Sequence, residues 1–285
     1  MHSDRSQRNY KLVALCAVFA AVLFLSGRAP AQNPTQKPAA SASAPASAPN
    51  GQLNPQLLDD LVYANRILAN EGVVDGFGHV SVREDNNPDR FLMSRSMAPA
   101  LVTRKDIMEY DLNGDAIDAQ GRALFAERYI HAAIYRARPD VKAIVHSHSL
   151  AVIPFSVTGT GLHPIFHMSA FLGAGTPIFD IRDVAGDSNM LVNDNKLGDW
   201  LAKVLGNHAV ALMRGHGSVD VGTSIQEAVF FAYYTDVNAR LQAQAAALGK
   251  PTFLTQGEAA KSAANLVNQY GRAWDLWKEK VGKID

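Results

Sequence analysis

The chain has almost no cysteine: Cys16 is the only one in 285 residues. That excludes a disulfide framework and a zinc site built on thiolates. It has no surplus of charge of either sign, with 27 basic and 27 acidic residues. The balance argues against a generally basic nucleic-acid binder. It has no apolar run of the roughly 20 residues that a membrane span needs; the longest, Leu12 to Leu25, has 14. No internal repeat with a period of about 20–50 residues is visible. What is present is core material: 47% of the residues are hydrophobic and 19% charged, a composition foreign to disordered chains. Nine histidines are the obvious resource for metal or acid/base chemistry.

Arg5, Arg8 and Lys11 precede the apolar run, and Ala29-Pro30-Ala31 offers a small-residue cleavage site before Gln32. This order reads as a secretory signal peptide over residues 1–31, with an uncleaved anchor as the alternative. Leu15 stands before Cys16 where a lipoprotein would carry a small residue. Cleavage removes four basic residues, one acidic residue and the only cysteine, leaving a net charge of −3. A thiol-free exported chain suits an oxidising compartment. The expected location is therefore periplasmic or secreted, with no stable membrane insertion after cleavage. Residues 32–52, rich in Ala, Ser and Pro, read as a flexible linker, and residues 53–285 as the folded domain.

Within that domain, apolar residues from Leu57 to Leu68 recur at helical spacing after Asn54-Pro55, a cap and first turn. Val80–Val82, Phe91–Met93, Ile107–Leu112, Val141–Val145 and Ala209–Met213 read as strands. Ala126–Arg136, Asp199–Leu205 and Ile225–Ala247 read as helices, and Asp111-Leu-Asn113-Gly-Asp115 as a turn. This order implies one α/β domain with helices packed on a central sheet.

His146 and His148 lie two apart at the end of a predicted strand. Strand side chains alternate faces, so both point the same way and can converge on one ion. Alone, such a pair is as readily two core or surface histidines. His216 is the candidate third ligand, because it follows another buried strand between Gly215 and Gly217, where the backbone can turn sharply. Glu127 opens the helix that leads to the histidine pair. Its neighbours permit two readings: a first-turn carboxylate favoured by the helix dipole, or a ligand or general acid/base. His131, one turn on, reads as a core histidine or one that supports a ligand.

Together, Gly78-His-Val-Ser-Val-Arg83, Glu127 nineteen positions before His146, ARPDVKAIVHSHS and RGHG around His216 resemble the class II aldolase/adducin family over about Leu53–Leu248. The resemblance implies a three-layer α/β/α domain with a central mixed sheet, assembled as a homotetramer. It implies a divalent metal on His146, His148 and His216, with Glu127 as the catalytic acidic residue. Zinc is the first expectation, with manganese, iron and cobalt as the others. Sugar-phosphate aldolases of the family carry Gly-Asn where this chain has Gly78-His79, and two serines where it has Phe125-Ala126. A Phe-Ala pair cannot cradle a phosphate dianion.

GHVSVR, FLMSRSMAP and VIPFSVTG are instead similar to the decarboxylase-type branch, which acts on aromatic or ring-opened hydroxy acids such as dihydroxyphthalate. The expected activity is decarboxylation of such a small-molecule carboxylate through a metal-stabilised enolate. Its alternatives are an aldolase on an unphosphorylated hydroxy-carbonyl substrate, an iron-dependent oxygenase and a non-enzymatic adducin-like interaction module. Substrate contacts are expected from Arg95, flanked by Ser94 and Ser96, as a bidentate fork on the carboxylate, and from His79 as a hydrogen-bond donor. The bland readings are a surface arginine and a turn histidine.

Overall fold

The computed structural model describes residues 53–284; the expected signal peptide and linker lie outside the described residues. The first helix, α1, spans Pro55–Asn70, and the Asn54 side chain accepts the Gln56 N–H at 3.0 Å. Strands β1 (His79–Arg83), β2 (Arg90–Ser94) and β3 (Ile107–Asp111) follow. Helix α2 (Arg128–Ala137) leads into β4 (Ala143–Ser147). A short helix α3 (Ile153–Val157), a two-residue strand β5 (Ile178–Phe179) and a single-turn helix α4 (Arg182–Ala185) come next. Helix α5 (Asn195–Leu205) precedes the hairpin of β6 (Val210–Met213) and β7 (Gly217–Gly222). Helices α6 (Ile225–Leu248), α7 (Gln256–Leu266) and α8 (Tyr270–Val281) complete the described chain.

One seven-stranded sheet runs in the order β3-β2-β1-β4-β7-β6-β5. Only β5 and β6 pair in parallel, so the sheet is mixed. Alternation along the strands divides the core in two. Val80, Val82 and Val145 face α1, α6 and the buried Trp274 and Trp277 of α8. Phe91, Ile144, Val219 and Val221 face α2 and α5 on the opposite side. Three layers result, as the resemblance implies. The two tryptophans serve packing, and Phe230 and Phe231 of α6 join the same core.

The β1 face toward α2 is polar, because His79, Ser81 and Arg83 alternate with the valines. Arg83 is buried and grips the C-terminal end of α2. Its guanidinium donates to Tyr135 O at 2.6 Å and Arg138 O at 3.1 Å, while Nε donates to Val141 O at 3.0 Å. A cation there meets the negative end of the helix dipole and its unpaired carbonyls. It also lies over the Tyr135 ring, 4.7 Å from the centroid.

Several elements differ from the sequence reading. Helix α5 starts at Asn195, four residues before Asp199, because Asp194 caps it by accepting the Leu197 N–H at 2.8 Å. Helix α2 starts at Arg128, with Glu127 as its cap residue. Strand β7 has no counterpart in the reading, since Ser218 and Asp220 interrupt its apolar residues, yet all six positions are buried. The turn after β3 is present: Asp111 Oδ1 accepts from Asn113 N at 2.8 Å and Asp115 N at 3.0 Å.

Asp220 is fully buried beneath α6 and accepts hydrogen bonds from Ser218 and Thr235, each at 2.8 Å. Burial pushes its carboxyl up to about 7, against the lowering effect of these two bonds. The unfolded chain ionises Asp220 near pH 4, whereas the folded chain keeps the proton until about pH 7. Stability from this group therefore falls as pH rises through that window. Asp220→Asn, neutral at every pH, should gain about 2–4 kcal/mol on wild type between pH 4 and pH 8. Denaturant unfolding at both pH values measures the gain; a constant difference would refute the buried-acid account.

Candidate metal centre

His146 is the penultimate residue of β4, and His148 lies one residue beyond its end. His216 sits in the turn of the β6–β7 hairpin, where Gly215 takes a φ of +62°. Antiparallel pairing of β4 with β7 sets Ser147 opposite Ser218 and so brings the hairpin turn against the H-x-H segment. The approach is close. A Cβ on Gly217 would stand 1.9 Å from Ser147 O, so only glycine fits. At the strand start, Gly78 takes a φ of +94°, and a Cβ there would press on Val74 and on His146 O.

The three imidazoles converge through Nε2. His148 Nε2 lies 3.2 Å from His146 Nε2 and 3.0 Å from His216 Nε2. Backbone carbonyls fix the other edge of two rings: His146 Nδ1 donates to Ser218 O and His216 Nδ1 to Met190 O, each at 3.0 Å. A neutral ring protonated at Nδ1 has a bare lone pair at Nε2. Lone pairs of His146 and His216 thus point at the same small volume, and one proton on His148 can satisfy only one of them. A cation resolves that repulsion, and neutral nitrogens with carbonyl-fixed tautomers are the usual donor set for a transition-metal ion. The residues present fit a divalent metal.

Glu127 completes the group. Its Oε1 accepts the Val192 N–H at 3.1 Å, which draws the side chain away from capping its own helix. Its Oε2 stands 3.4 Å from His216 Nε2, 3.5 Å from His146 Nε2 and 4.0 Å from His148 Nε2. One ligand atom from each of the four residues lies within 4.8 Å of the others. Burial would raise the Glu127 carboxyl, but a proton on the adjoining Nε2 of His146 or His216 outweighs that and holds it well below the usual carboxylate range. His216 is raised because Glu127 outweighs its burial. His148 is lowered to about 4 by burial, reinforced by the two neighbouring imidazoles.

His79 adjoins the group. It pairs across β1 and β4 with His146, their ring centroids 5.0 Å apart, and packs 4.6 Å from the Phe125 ring. It is buried, and its Nδ1 lies 2.6 Å from Nε2 of His131, itself a core histidine. Burial holds His79 well below its ordinary value and His131 down to about 3, so both rings are neutral. Arg95 already has a carboxylate: its Nε donates to Asp106 at 2.7 Å. Asp106, which also accepts from Thr103, ties the connection between β2 and β3. The Ser94 hydroxyl is buried without a hydrogen-bond partner among the described residues. Neither residue bonds to the histidine group. The sequence reading passed over Met190 and Val192, which act through backbone atoms and leave no side-chain signal. It also passed over Ser81 and Tyr135, whose spacings to His79 (i+2) and His131 (i+4) put each pair on one strand or helix face.

Fold and site together define a mixed α/β domain with a three-histidine, one-carboxylate centre at the ends of its central strands. The chain matches the Class II Aldolase and Adducin N-terminal domain over residues 59–243 and belongs to that family. It is 36% identical to the decarboxylase tropJ of Talaromyces stipitatus over 239 residues, covering 75% of this chain and 90% of the relative. It is 31% identical to a 3,4-dihydroxyphthalate decarboxylase of Arthrobacter keyseri, covering 66% and 78%. Among solved structures it resembles the L-fuculose 1-phosphate aldolase from Glaciozyma antarctica. The TM-score is 0.65 at 26% identity, covering 79% of this chain and 89% of that one. These relatives support a lyase.

Elemental analysis of zinc-reconstituted protein should find about one ion per chain. His148→Ala should lose most of it, and Glu127→Gln should keep it. Equal metal in wild type and His148→Ala would exclude this centre.

Proposed function

We propose that the protein is a divalent-metal-dependent carbon–carbon lyase that decarboxylates a hydroxylated aromatic or ring-opened carboxylic acid. The observation that carries the reading is the convergence of three imidazole Nε2 atoms and the Glu127 Oε2. His146, His148 and His216 would hold a divalent ion, which would supply Lewis acidity for the negative charge that builds up on the substrate oxygens as the carbon–carbon bond breaks. Glu127, kept ionised, accepts the proton of a substrate hydroxyl and returns it to the carbon from which carbon dioxide departs. Val192 N–H holds the other carboxylate oxygen, so Oε2 keeps its aim during transfer.

The surroundings suit a ring better than a phosphate. Phe125 packs on His79, and the exposed Phe77 stands beside His148 with ring centroids 6.2 Å apart. Relatives named decarboxylases support the same choice. The reading includes zinc as the ion, a homotetramer as the assembly and the periplasm as the compartment. The first two rest on family resemblance, the last on the composition of residues 1–31.

The test is carbon dioxide release by the zinc-loaded protein from a panel of hydroxylated aromatic acids. Wild type should turn over at least one of them. Glu127→Gln should lower kcat by about 10²–10⁴ with metal retained. Full activity in that variant would refute its proton-transfer role. Aldol cleavage without carbon dioxide would move the assignment to an aldolase.

A further inference from the structure

A hydrogen-bonded chain runs from the core to the edge of the metal centre. Tyr135 Oη lies 2.8 Å from Ser81 Oγ, Ser81 Oγ lies 2.6 Å from His131 Nδ1, and His131 Nε2 lies 2.6 Å from His79 Nδ1. His131 and Ser81 are fully buried and Tyr135 almost so.

The protons in this chain have a direction. Among the described residues, the Tyr135 hydroxyl has Ser81 as its only hydrogen-bond partner, so its proton goes to Ser81. The Ser81 proton then goes to His131 Nδ1, and the His131 proton sits on Nε2, donated to His79 Nδ1. His79 is left with its proton on Nε2. In the reverse direction the Tyr135 proton would be buried without an acceptor, which folded interiors avoid. No described residue bonds His79 Nε2. The ring projects from the same sheet face as His146, its partner in the β1–β4 pairing.

We propose that Tyr135, Ser81 and His131 form a positioning relay that fixes His79 as the Nε2–H tautomer, a permanent hydrogen-bond donor at the metal centre for an anionic oxygen of the substrate. The identity of that oxygen, a carboxylate or phenolate, rests on the lyase reading; the tautomer does not. The relay adds selectivity of a simple kind. A ring whose Nδ1 is already filled cannot turn its acceptor side to the substrate, so the site favours an oxygen with lone pairs over one that must donate.

The test is nitrogen NMR of the zinc-loaded, full-length protein labelled with ¹⁵N-histidine, with His79 assigned through His79→Gln. A bare and a protonated imidazole nitrogen give well-separated signals, so the tautomer is read directly. Wild type should show His79 with a bare Nδ1 and a protonated Nε2. Tyr135→Phe, which removes the proton that sets the direction, should weaken the preference without abolishing it, because Ser81 can still donate to His131. Ser81→Ala should yield a mixture of tautomers with metal content unchanged, and KM for a hydroxy acid should rise about tenfold. A protonated Nδ1 in wild type, or a single unchanged tautomer in Ser81→Ala, overturns the relay. Should Ser81→Ala fail to fold, the wild-type spectrum decides alone. The expected tautomer in a protein that turns over no hydroxy acid would uphold the relay and sink the lyase reading.

Discussion

The grip of β1 on α2 is the interaction on which the site depends. A strand in the middle of a three-layer domain is expected to be apolar on both faces. Here one face carries His79, Ser81 and Arg83, and all three are buried. Such a face is costly unless its polar atoms are paired. Helix α2 supplies the pairing through His131, Tyr135 and its last carbonyls. The helix is thereby fixed in rotation and along its axis. Its opposite end bears Glu127, so the same grip determines where the carboxylate lies relative to His146 on the neighbouring strand.

The metal centre is assembled from the ends of elements that touch only in the folded chain. The H-x-H segment ends a central strand, His216 lies in a hairpin turn, and Glu127 precedes a helix. Each side chain is then oriented by a main-chain group: Ser218 O, Met190 O or Val192 N. Main-chain partners cannot rotate away, and they leave the converging nitrogens deprotonated. His148 is the exception. It is half exposed, and neither Nδ1 partner nor carbonyl holds its outer edge among the described residues. The centre thus has two rigid imidazoles and one adaptable one on its solvent side.

Much of this was legible in the chain. Period-two spacing paired His146 with His148, glycines marked the tight approach of His216, and Asn54-Pro55 located the first helix. Ser94 and Arg95 show the limit of such reading. An arginine between serines looks wholly free for a carboxylate, but its Nε is taken by Asp106, eleven residues on and adjacent only after β2 and β3 pair. Strand β7 was hidden for a related reason. Its interior aspartate suggests a loop, and hydrogen bonds from Ser218 and from the distant Thr235 of α6 make that carboxyl tolerable in the core. Local pattern reports elements and faces; it is silent where a buried polar group finds its partner far along the chain.

The segment before α5 has a consequence of its own. Met190 O and Val192 N belong to adjacent peptide units on either side of Leu191, and they hold His216 and Glu127 respectively. The segment works as a jig, in which the gap between a ligand nitrogen and the carboxylate oxygen inherits the fixed dimensions of two peptide bonds. Met190 itself adopts a left-handed backbone, φ +67°, which a side-chain-bearing residue enters only under constraint. A more relaxed loop would fold with less strain, but it would let the two halves of the centre drift apart. Accuracy at the centre is therefore stored as tension in a stretch of chain that contributes no side chain to it.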